Sequence, residues 1–455
     1  MSIAKLISSR THLIPGRLKV SELFFDVPLD HSLPDSSRTI RIFGRSVERV
    51  EKPAASPAEA EGGKPKQLPY FVYLQGGPGF GCAPPQDYGF TGLVLDRGFK
   101  MLFLDQRGMG LSTPVTARTL AIQGDSKVQV DYLKLFRADT AVKDLEAIRK
   151  CLTADYPEEK KKWSIVGQSY GGFVATTYLS QVPEGLREVF TLGGLPPVNQ
   201  KDPDEVYKRL HRKVQERNAK YYEKYPEDVE AVKRIARHLD HEHQPVMFAD
   251  GGELSLMRFL SMGISFGFHG GLDTVHDIVL GTVNDLETFG FLTKPTLVRI
   301  KATGSFEDHV LYAIMHESIY CQRGGKSNWS ASRILSKHKT STDAPLEFIG
   351  EMVLRDHFSV YPELKALTEV ADALANIDDW PDLYDVDRLK QNDVPVYSAT
   401  YVEDMYVDLG FAQETARTIK GAKTFVTNMM YHDALRSRTE ELFKNLFALR
   451  DDSVD

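Results

Sequence analysis

Cysteine is scarce in this chain. Its 455 residues contain three cysteines, Cys82, Cys151 and Cys321. An odd number at wide spacing provides neither a disulfide framework nor a zinc ribbon. Disulfides persist in oxidising compartments, so this cysteine usage predicts a reducing, cytoplasmic location.

Long apolar runs and a basic excess are also missing. No uninterrupted apolar run approaches the roughly 20 residues that a transmembrane helix needs. The 56 basic and 63 acidic side chains leave a formal charge of −7, which argues against nucleic acid and anionic membranes as partners. The N-terminus has no apolar core of a secretion signal. It is basic and has no acid before Glu22, so a mitochondrial presequence stays an alternative.

Short apolar runs rich in β-branched and aromatic residues predict buried strands. Two strands, 18–27 and 38–49, come first. Helical patterns over 138–153 and 173–182 then alternate with further strands, which predicts an α/β fold with a mostly parallel sheet and helices on both faces. These further strands are YFVYL (70–74), KMLFL (100–104), WSIVG (163–167), REVFTLGG (187–194), VPVYSATY (394–401) and KTFVT (423–427).

The pattern changes in the middle of the chain. Residues 196–390 begin with a charged helical stretch and contain no clear buried strand, which predicts a large, mainly helical inserted cap. The core is then formed by residues 1–195 and 391–455. Within the first part, residues 51–67 have no large apolar side chain and are predicted to be a flexible loop.

The stretch IVGQSYGG (165–172) carries a candidate nucleophile, Ser169. Gly167 and Gly171 flank this serine in the pattern G-x-S-x-G, which is typical of a tight turn between a strand and a helix. The alternative interpretation is a glycine-rich turn with a solvated hydroxyl. In α/β-hydrolases the amide after the nucleophile, here that of Tyr170, helps to form the oxyanion hole.

A serine nucleophile needs a base and an acid that orients the base. His432 is the only histidine after His357, and it follows the last predicted strand. Glu403 and Asp404 follow the preceding strand, and Asp408 comes slightly later. The alternatives are a surface histidine and a solvated acidic loop. The order serine, acid, histidine is nevertheless that of α/β-hydrolases.

A glycine-rich loop, QGGPGFG (75–81), follows the strand YFVYL. Its glycines allow the backbone to approach a substrate closely, as an oxyanion hole requires. A Walker-type phosphate loop would end in Gly-Lys-Ser/Thr, and this loop does not. In the next strand's LDQRG motif, Asp105 and Arg107 are expected to form a buried structural pair.

Together these motifs resemble those of the proline iminopeptidase family of α/β-hydrolases. The resemblance covers about residues 68–440. Besides the two glycine motifs it rests on LDQRGMGLS (104–112), RADTAVKDLEAIR (137–149), HESIYCQ (316–322), GEM (350–352), YVEDM (401–405) and YHDALR (431–436). The resemblance implies the α/β-hydrolase fold and a serine exopeptidase.

The resemblance also implies individual roles. Ser169 matches the family nucleophile, Asp404 the acid that precedes a methionine, and His432 the base, although Tyr431 replaces the family's usual glycine. In the oxyanion loop, Gln75 replaces a histidine. The donor there is a backbone amide, which is independent of that side chain.

That amide is assigned by the resemblance to Gly77. Two cap glutamates of the family grip the free amino end of the substrate, and Glu317 and Glu351 match them. The implied activity is the release of an N-terminal residue, typically proline, from small peptides with a free N-terminus. No cofactor and no metal are expected. An esterase or amidase acting on a non-peptide substrate is the alternative, and a non-catalytic binding protein is a third hypothesis.

The G-x-S-x-G turn, called the elbow, predicts acylation at Ser169. A serine-directed organophosphonate should label this residue, because its hydroxyl carries the covalent step. Peptide mass mapping of the treated protein measures the label, and Ser169→Ala is the control that should take up none. Label on a different serine would contradict the assignment.

Overall fold

The computed structural model describes residues 2–33, 38–50, 67–240, 245–304, 306–337 and 344–452. Strands within these ranges form one nine-stranded sheet in the order β1-β2-β3-β5-β4-β6-β7-β8-β9. They are β1 (Lys5–Ile14), β2 (Leu18–Pro28), β3 (Thr39–Arg49), β4 (Tyr70–Leu74), β5 (Lys100–Asp105), β6 (Trp163–Gln168), β7 (Leu186–Leu192), β8 (Val396–Tyr401) and β9 (Ala422–Thr427). The first three strands pair antiparallel, and β4 to β9 are mutually parallel.

Helices connect the parallel strands and fill the long connection before β8. In the core they are α1 (Phe90–Leu95), α2 (Ala117–Ala121), α3 (Ser126–Leu133), α4 (Ala138–Leu152), α5 (Glu158–Lys161) and α6 (Tyr170–Gln181). Between β7 and β8 they are α7 (Pro203–Lys224), α8 (Asp228–Leu239), α9 (Leu256–Leu260), α10 (Gly271–Phe289), α11 (Lys294–Gly304), α12 (Val310–Met315), α13 (Ser330–Lys337), α14 (His357–Val360), α15 (Pro362–Lys365), α16 (Thr368–Ala375) and α17 (Val386–Lys390). After β8 come α18 (Leu409–Thr418), α19 (Ala434–Ser437) and α20 (Thr439–Asp451).

Both faces of the sheet are covered, as the continuous apolar runs predict. In β4, Val72 and Leu74 belong to the hydrophobic cluster on one face, whereas Phe71 and Tyr73 belong to the cluster on the other. Helices α4 and α6 pack on the first face, and α1 and α20 pack on the second. The predicted α/β architecture is therefore confirmed.

The predicted cap, residues 196–390, lies in the segment between β7 and β8. Its regular elements in the described ranges are helical, apart from one isolated bridge between Met247 and Glu253. The predicted domain boundaries at 195/196 and 390/391 stay predictions. None of the described helices has an apolar stretch long enough to span a bilayer.

At the N-terminal end, one strand of the structure was not predicted, and one predicted loop lies mostly outside the described residues. Strand β1 was not predicted, because it is an edge strand whose side chains are mostly exposed and so lack an apolar alternation. The predicted flexible loop 51–67 lies outside the described residues except for Gln67.

The expected pairing of Asp105 with Arg107 does not occur. The Asp105 carboxylate instead accepts hydrogen bonds from the amides of Cys82 (2.6 Å) and Leu111 (2.8 Å). Arg107 donates to both carboxylate oxygens of Asp144 at 2.7 Å, and all of these groups are buried. A bidentate pair satisfies the N–H donors of the planar guanidinium better than a contact with Asp105, which lies two residues earlier at the same strand end. His31 also contacts Asp144, at 2.7 Å.

Breaking this buried pair should destabilise the fold. Asp144→Ala leaves the Arg107 guanidinium buried without its counter-charge, so the free energy of unfolding should fall by about 3–5 kcal/mol. Urea unfolding followed by circular dichroism measures the loss. The matched control is Asp96→Ala, which removes an exposed pair with Arg49 (2.7 Å) and should cost less than about 1 kcal/mol. Equal losses in the two variants would refute a structural role for the buried pair.

Candidate active site

Ser169 lies in the turn between β6 and α6 with a strained backbone, at φ 52° and ψ −124°. A non-glycine residue adopts positive φ rarely, and such strain is typical of functional sites. Close packing holds the turn: a Cβ atom at Gly167 would lie 2.2 Å from the carbonyl oxygen of Gly171, and one at Gly171 would lie 2.0 Å from that of Leu74. The two glycines of the motif are therefore required by backbone contact.

Asp404 and His432 are hydrogen-bonded to each other at the same edge of the sheet. They follow β8 and β9, and His432 Nδ1 lies 2.9 Å from Asp404 Oδ2. The other carboxylate oxygen accepts from the amides of Tyr406 (2.8 Å) and Val407 (3.0 Å). Asp408 instead caps α18 through the amide of Phe411 (2.9 Å), so the geometry favours Asp404 as the partner of the histidine.

This bond determines the state of the imidazole. An ionised carboxylate only accepts, so His432 Nδ1 carries a hydrogen and Nε2 keeps a lone pair when the ring is neutral. Burial lowers the pKa of His432, but the Asp404 charge and hydrogen bond, with Glu351 and Asp433 adding to them, outweigh burial and raise the pKa above 6.5. The arrangement can take a proton at Nε2 and stabilise the imidazolium that results.

Two backbone amides are available for an oxyanion. Tyr170 is the first residue of α6, so its N–H has no acceptor within the helix. Gly77, just after β4, has φ +125°, a backbone conformation that residues with a side chain rarely adopt. Neither amide donates a hydrogen bond to another residue in the described ranges, which leaves both free for a ligand.

Ser169, His432 and Gly77 line one cavity of about 430 Å³. No hydrogen bond joins the Ser169 hydroxyl to the His432 ring among the described contacts. Such bonds are often long without substrate and tighten when it binds. Aromatic and aliphatic side chains form much of the wall, namely Phe80, Ile264, Phe268, Phe306, Tyr312 and Tyr406.

Glu351 is the cap glutamate that reaches this cavity. Its Oε1 accepts a hydrogen bond from the Tyr312 hydroxyl at 2.7 Å, and its Oε2 lies 3.5 Å from Nε2 of the buried His316. The Nδ1 atom of that ring shares a hydrogen bond of 3.0 Å with the Tyr207 hydroxyl. The carboxylate is thus fixed by a polar network while remaining in contact with the cavity.

Glu317 does not line the cavity with Glu351. Its side chain is buried, and its Oε1 accepts a hydrogen bond from the amide of Ala331 at 2.9 Å, at the start of α13. Burial raises the pKa of Glu317. Direct contact with a substrate would require the carboxylate to leave this helix end, so the structure does not bring the two predicted glutamates together.

Three residues of the site were not predicted from sequence. Tyr312 and His316 contact Glu351, and the His309 ring packs on Phe80 with ring centroids 4.0 Å apart and the planes tilted by 43°. His309 Nδ1 also lies 3.3 Å from the carbonyl oxygen of Gly79 in the oxyanion loop. The HESIY motif lies next to Glu351, but the residue of this motif that faces Glu351 is His316 rather than Glu317.

One group of possible metal ligands occurs in the described part of the chain. Glu227, Asp228 and His276 place ligand atoms within 4.8 Å of one another. None of these residues lines the cavity of Ser169. The Asp228 carboxylate is already engaged by the Tyr221 hydroxyl and by His276 Nδ1, so these bonds account for the cluster without an ion.

A serine in a strained turn after a parallel strand, beside a buried aspartate–histidine pair at the same sheet edge, defines the class of α/β-hydrolases. Residues 69–266 match the family model of the alpha/beta hydrolase fold. The chain is 43% identical to the proline iminopeptidase aneH of Aspergillus aculeatus over 99% of its own length and 98% of that protein. It is 34% identical to the proline iminopeptidase of Aeromonas sobria over 98% and 100% of the two chains. The chain belongs to the proline iminopeptidase family.

The chain is also similar in fold to more distant solved structures. The bromoperoxidase of Bacillus anthracis aligns with a TM-score of 0.41 at 12% identity, over 91% of this chain and 97% of that one. A score of this size adds nothing to the assignment. The family membership rests on the two full-length relatives.

Asp404→Asn should lower kcat by about a thousandfold or more, because the side-chain amide of the new asparagine favours the wrong tautomer of His432. A prolyl arylamide assay measures the loss. The matched control, Asp408→Asn, should stay within about tenfold of wild type. A larger loss for Asp408→Asn would make that residue the acid.

The pH profile provides a second readout for the same pair. Protonated His432 cannot accept the serine proton, so the raised pKa should put the acid limb of kcat/KM above pH 6.5. Removing the Asp404 charge should move the limb of the residual activity to lower pH. An unmoved limb would show that a different group titrates.

Proposed function

We propose that the protein is a serine exopeptidase that releases an N-terminal residue, proline above all, from small peptides with a free amino group. One observation carries the proposal: the fixed carboxylate of Glu351 lies on the wall of the cavity that Ser169 and His432 also line. A carboxylate at this place, with its side chain 13% exposed, offers a binding group for a positively charged amine. The names of the two full-length relatives agree with this activity.

The proposed reaction uses the groups already described. His432 Nε2 accepts the proton of the Ser169 hydroxyl as its oxygen attacks the carbonyl carbon of the first residue. The amides of Gly77 and Tyr170 donate to the oxyanion that forms. His432 then gives its proton to the leaving amine, and an acyl-enzyme remains. Water, activated by the same histidine, hydrolyses this ester and restores Ser169.

Amine recognition follows from the charge and shape of the cavity. A prolyl N-terminus is a secondary ammonium with two N–H donors, and a charge-assisted bond to a carboxylate is about twice as strong as a neutral one. The aromatic wall of Phe80, Phe306 and Tyr312 offers an apolar surface to the pyrrolidine ring. Substrates that lack the cation desolvate the Glu351 carboxylate further and bring no counter-charge to it, which costs binding free energy.

The proposed role of Glu317 is indirect, because this residue does not line the cavity. Its carboxylate and that of Glu351 both act on the buried hydroxyl of Tyr207, whose pKa burial raises first and the two charges raise further. We therefore propose that Glu317 supports amine binding indirectly. Its carboxylate adds to the negative electrostatic field at the cavity wall, and it keeps this part of the wall ordered. Its bond to Ala331 fixes the start of α13 next to it.

The division into a core of 1–195 and 391–455 with a cap of 196–390 is kept as part of the proposal. The cap supplies Glu351 and much of the cavity wall, whereas the core supplies Ser169 and His432. Cys82, Cys151 and Cys321 are free thiols, and the cytoplasmic location predicted from cysteine usage is kept with it.

Glu351→Gln should lower kcat/KM for a prolyl arylamide by about a hundredfold, because hydrogen bonds to charged groups contribute about 1.5–3 kcal/mol. The matched control is Glu347→Gln, four residues earlier, whose carboxylate contacts Gln215 and does not line the cavity. Glu317→Gln should chiefly lower the thermal midpoint and affect kcat/KM less than Glu351→Gln.

Comparing free and N-acetylated prolyl arylamide tests the substrate class itself. The wild type should cleave the free amine and leave the acetylated compound almost untouched. Equal kcat/KM values for the two would overturn the aminopeptidase proposal and favour an esterase or amidase for non-peptide substrates.

A further inference from the structure

The formal charges of the active-site cavity are unevenly placed. Its acids are Asp308, Glu351 and Asp433, and Arg436 is the one Arg or Lys among the lining residues. Asp433 accepts hydrogen bonds from Nδ1 (2.7 Å) and the amide (3.1 Å) of His269, and Glu351 accepts from a tyrosine. Arg436 is exposed, and its guanidinium forms no ion pair or hydrogen bond with any residue in the described ranges.

Arg436 lies four residues after His432 in the chain. It lies in α19, one helical turn after His432, and its amide donates to the carbonyl oxygen of Asp433 at 2.8 Å. Burial raises the pKa values of Tyr73 and Tyr88, and the Arg436 charge opposes that rise for both. The guanidinium is therefore within electrostatic range of the strand and loop that flank Gly77.

The reaction places the leaving group on this side of the cavity. His432 must hand its proton to the leaving amine, so the released residue lies against the imidazole. In a dipeptide the carboxylate carbon is separated from that amine by a single Cα atom, about 2.5 Å away. A carboxylate is thus presented next to His432, and Arg436, four residues further along the chain, lines the same cavity.

We propose that Arg436 binds the C-terminal carboxylate of dipeptide substrates, so that the enzyme prefers dipeptides to peptides whose second residue carries no free carboxylate. This inference rests on the proposed exopeptidase function. A guanidinium recognises a carboxylate with two parallel N–H donors. Asp308, on the cap side of the cavity, repels a carboxylate and so adds to the preference for the Arg436 side.

The experiment compares prolyl-alanine with prolyl-alaninamide, which differ only in the carboxylate. Wild type should show a ratio of kcat/KM values, acid over amide, of about two to five, as expected for an exposed charged pair. Arg436→Met should bring the ratio to about one, and Arg436→Lys should keep an intermediate value. The matched control, Arg438→Met, removes an exposed arginine outside the cavity and should keep the wild-type ratio.

Ionic strength gives a readout that needs no variant. An exposed guanidinium–carboxylate pair is screened by salt, so the wild-type ratio should fall as salt is raised. A wild-type ratio near one, or a ratio that survives in Arg436→Met, would overturn the role of Arg436 while cleavage of prolyl arylamide upholds the exopeptidase. Loss of arylamide cleavage in the wild type would overturn both.

Discussion

The carboxylate of Asp404 is the group on which the rest of the site depends. It is 2% exposed, and a buried charge without partners would cost several kcal/mol. Its partners are the amides of Tyr406 and Val407 and the ring of His432. Because these donors come from the loops after two different strands, satisfying the charge also fixes both loops. The orientation and basicity of the histidine are consequences of the same requirement.

The cap is fastened to these loops at the same place. The Tyr406 ring stacks on His432 with centroids 4.4 Å apart, and its hydroxyl donates to the carbonyl oxygen of Ile264. The amide of His432 donates to the carbonyl oxygen of Gly267 at 3.2 Å. A Cβ atom at Gly267 would lie 2.1 Å from the Tyr406 ring. Only glycine therefore fits at this position of the cap unless the ring moves. The two loops that carry Asp404 and His432 therefore position the nearest part of the cap directly.

Sequence predicted those features that local pattern or motif encodes. The parallel strands are apolar on both faces, and the elbow around Ser169 needs glycines that the motif displays. Edge strand β1 was missed, since exposed side chains leave no periodic signal. The partner of Arg107 lies 37 residues away, and only packing selects it over Asp105. Likewise, sequence alone could not decide which of two adjacent residues, His316 or Glu317, turns towards Glu351.

Separating chemistry from recognition has a physical consequence for specificity. The core supplies Ser169 and His432, which line the cavity, and the buried carboxylate of Asp404. The cap supplies a carboxylate fixed by Tyr312, which attracts a cation to one wall of the cavity. Under the proposed function, an ammonium bound there places the first carbonyl of a peptide at Ser169. Exopeptidase specificity then comes from the position of one charge relative to the nucleophile rather than from the nucleophile itself.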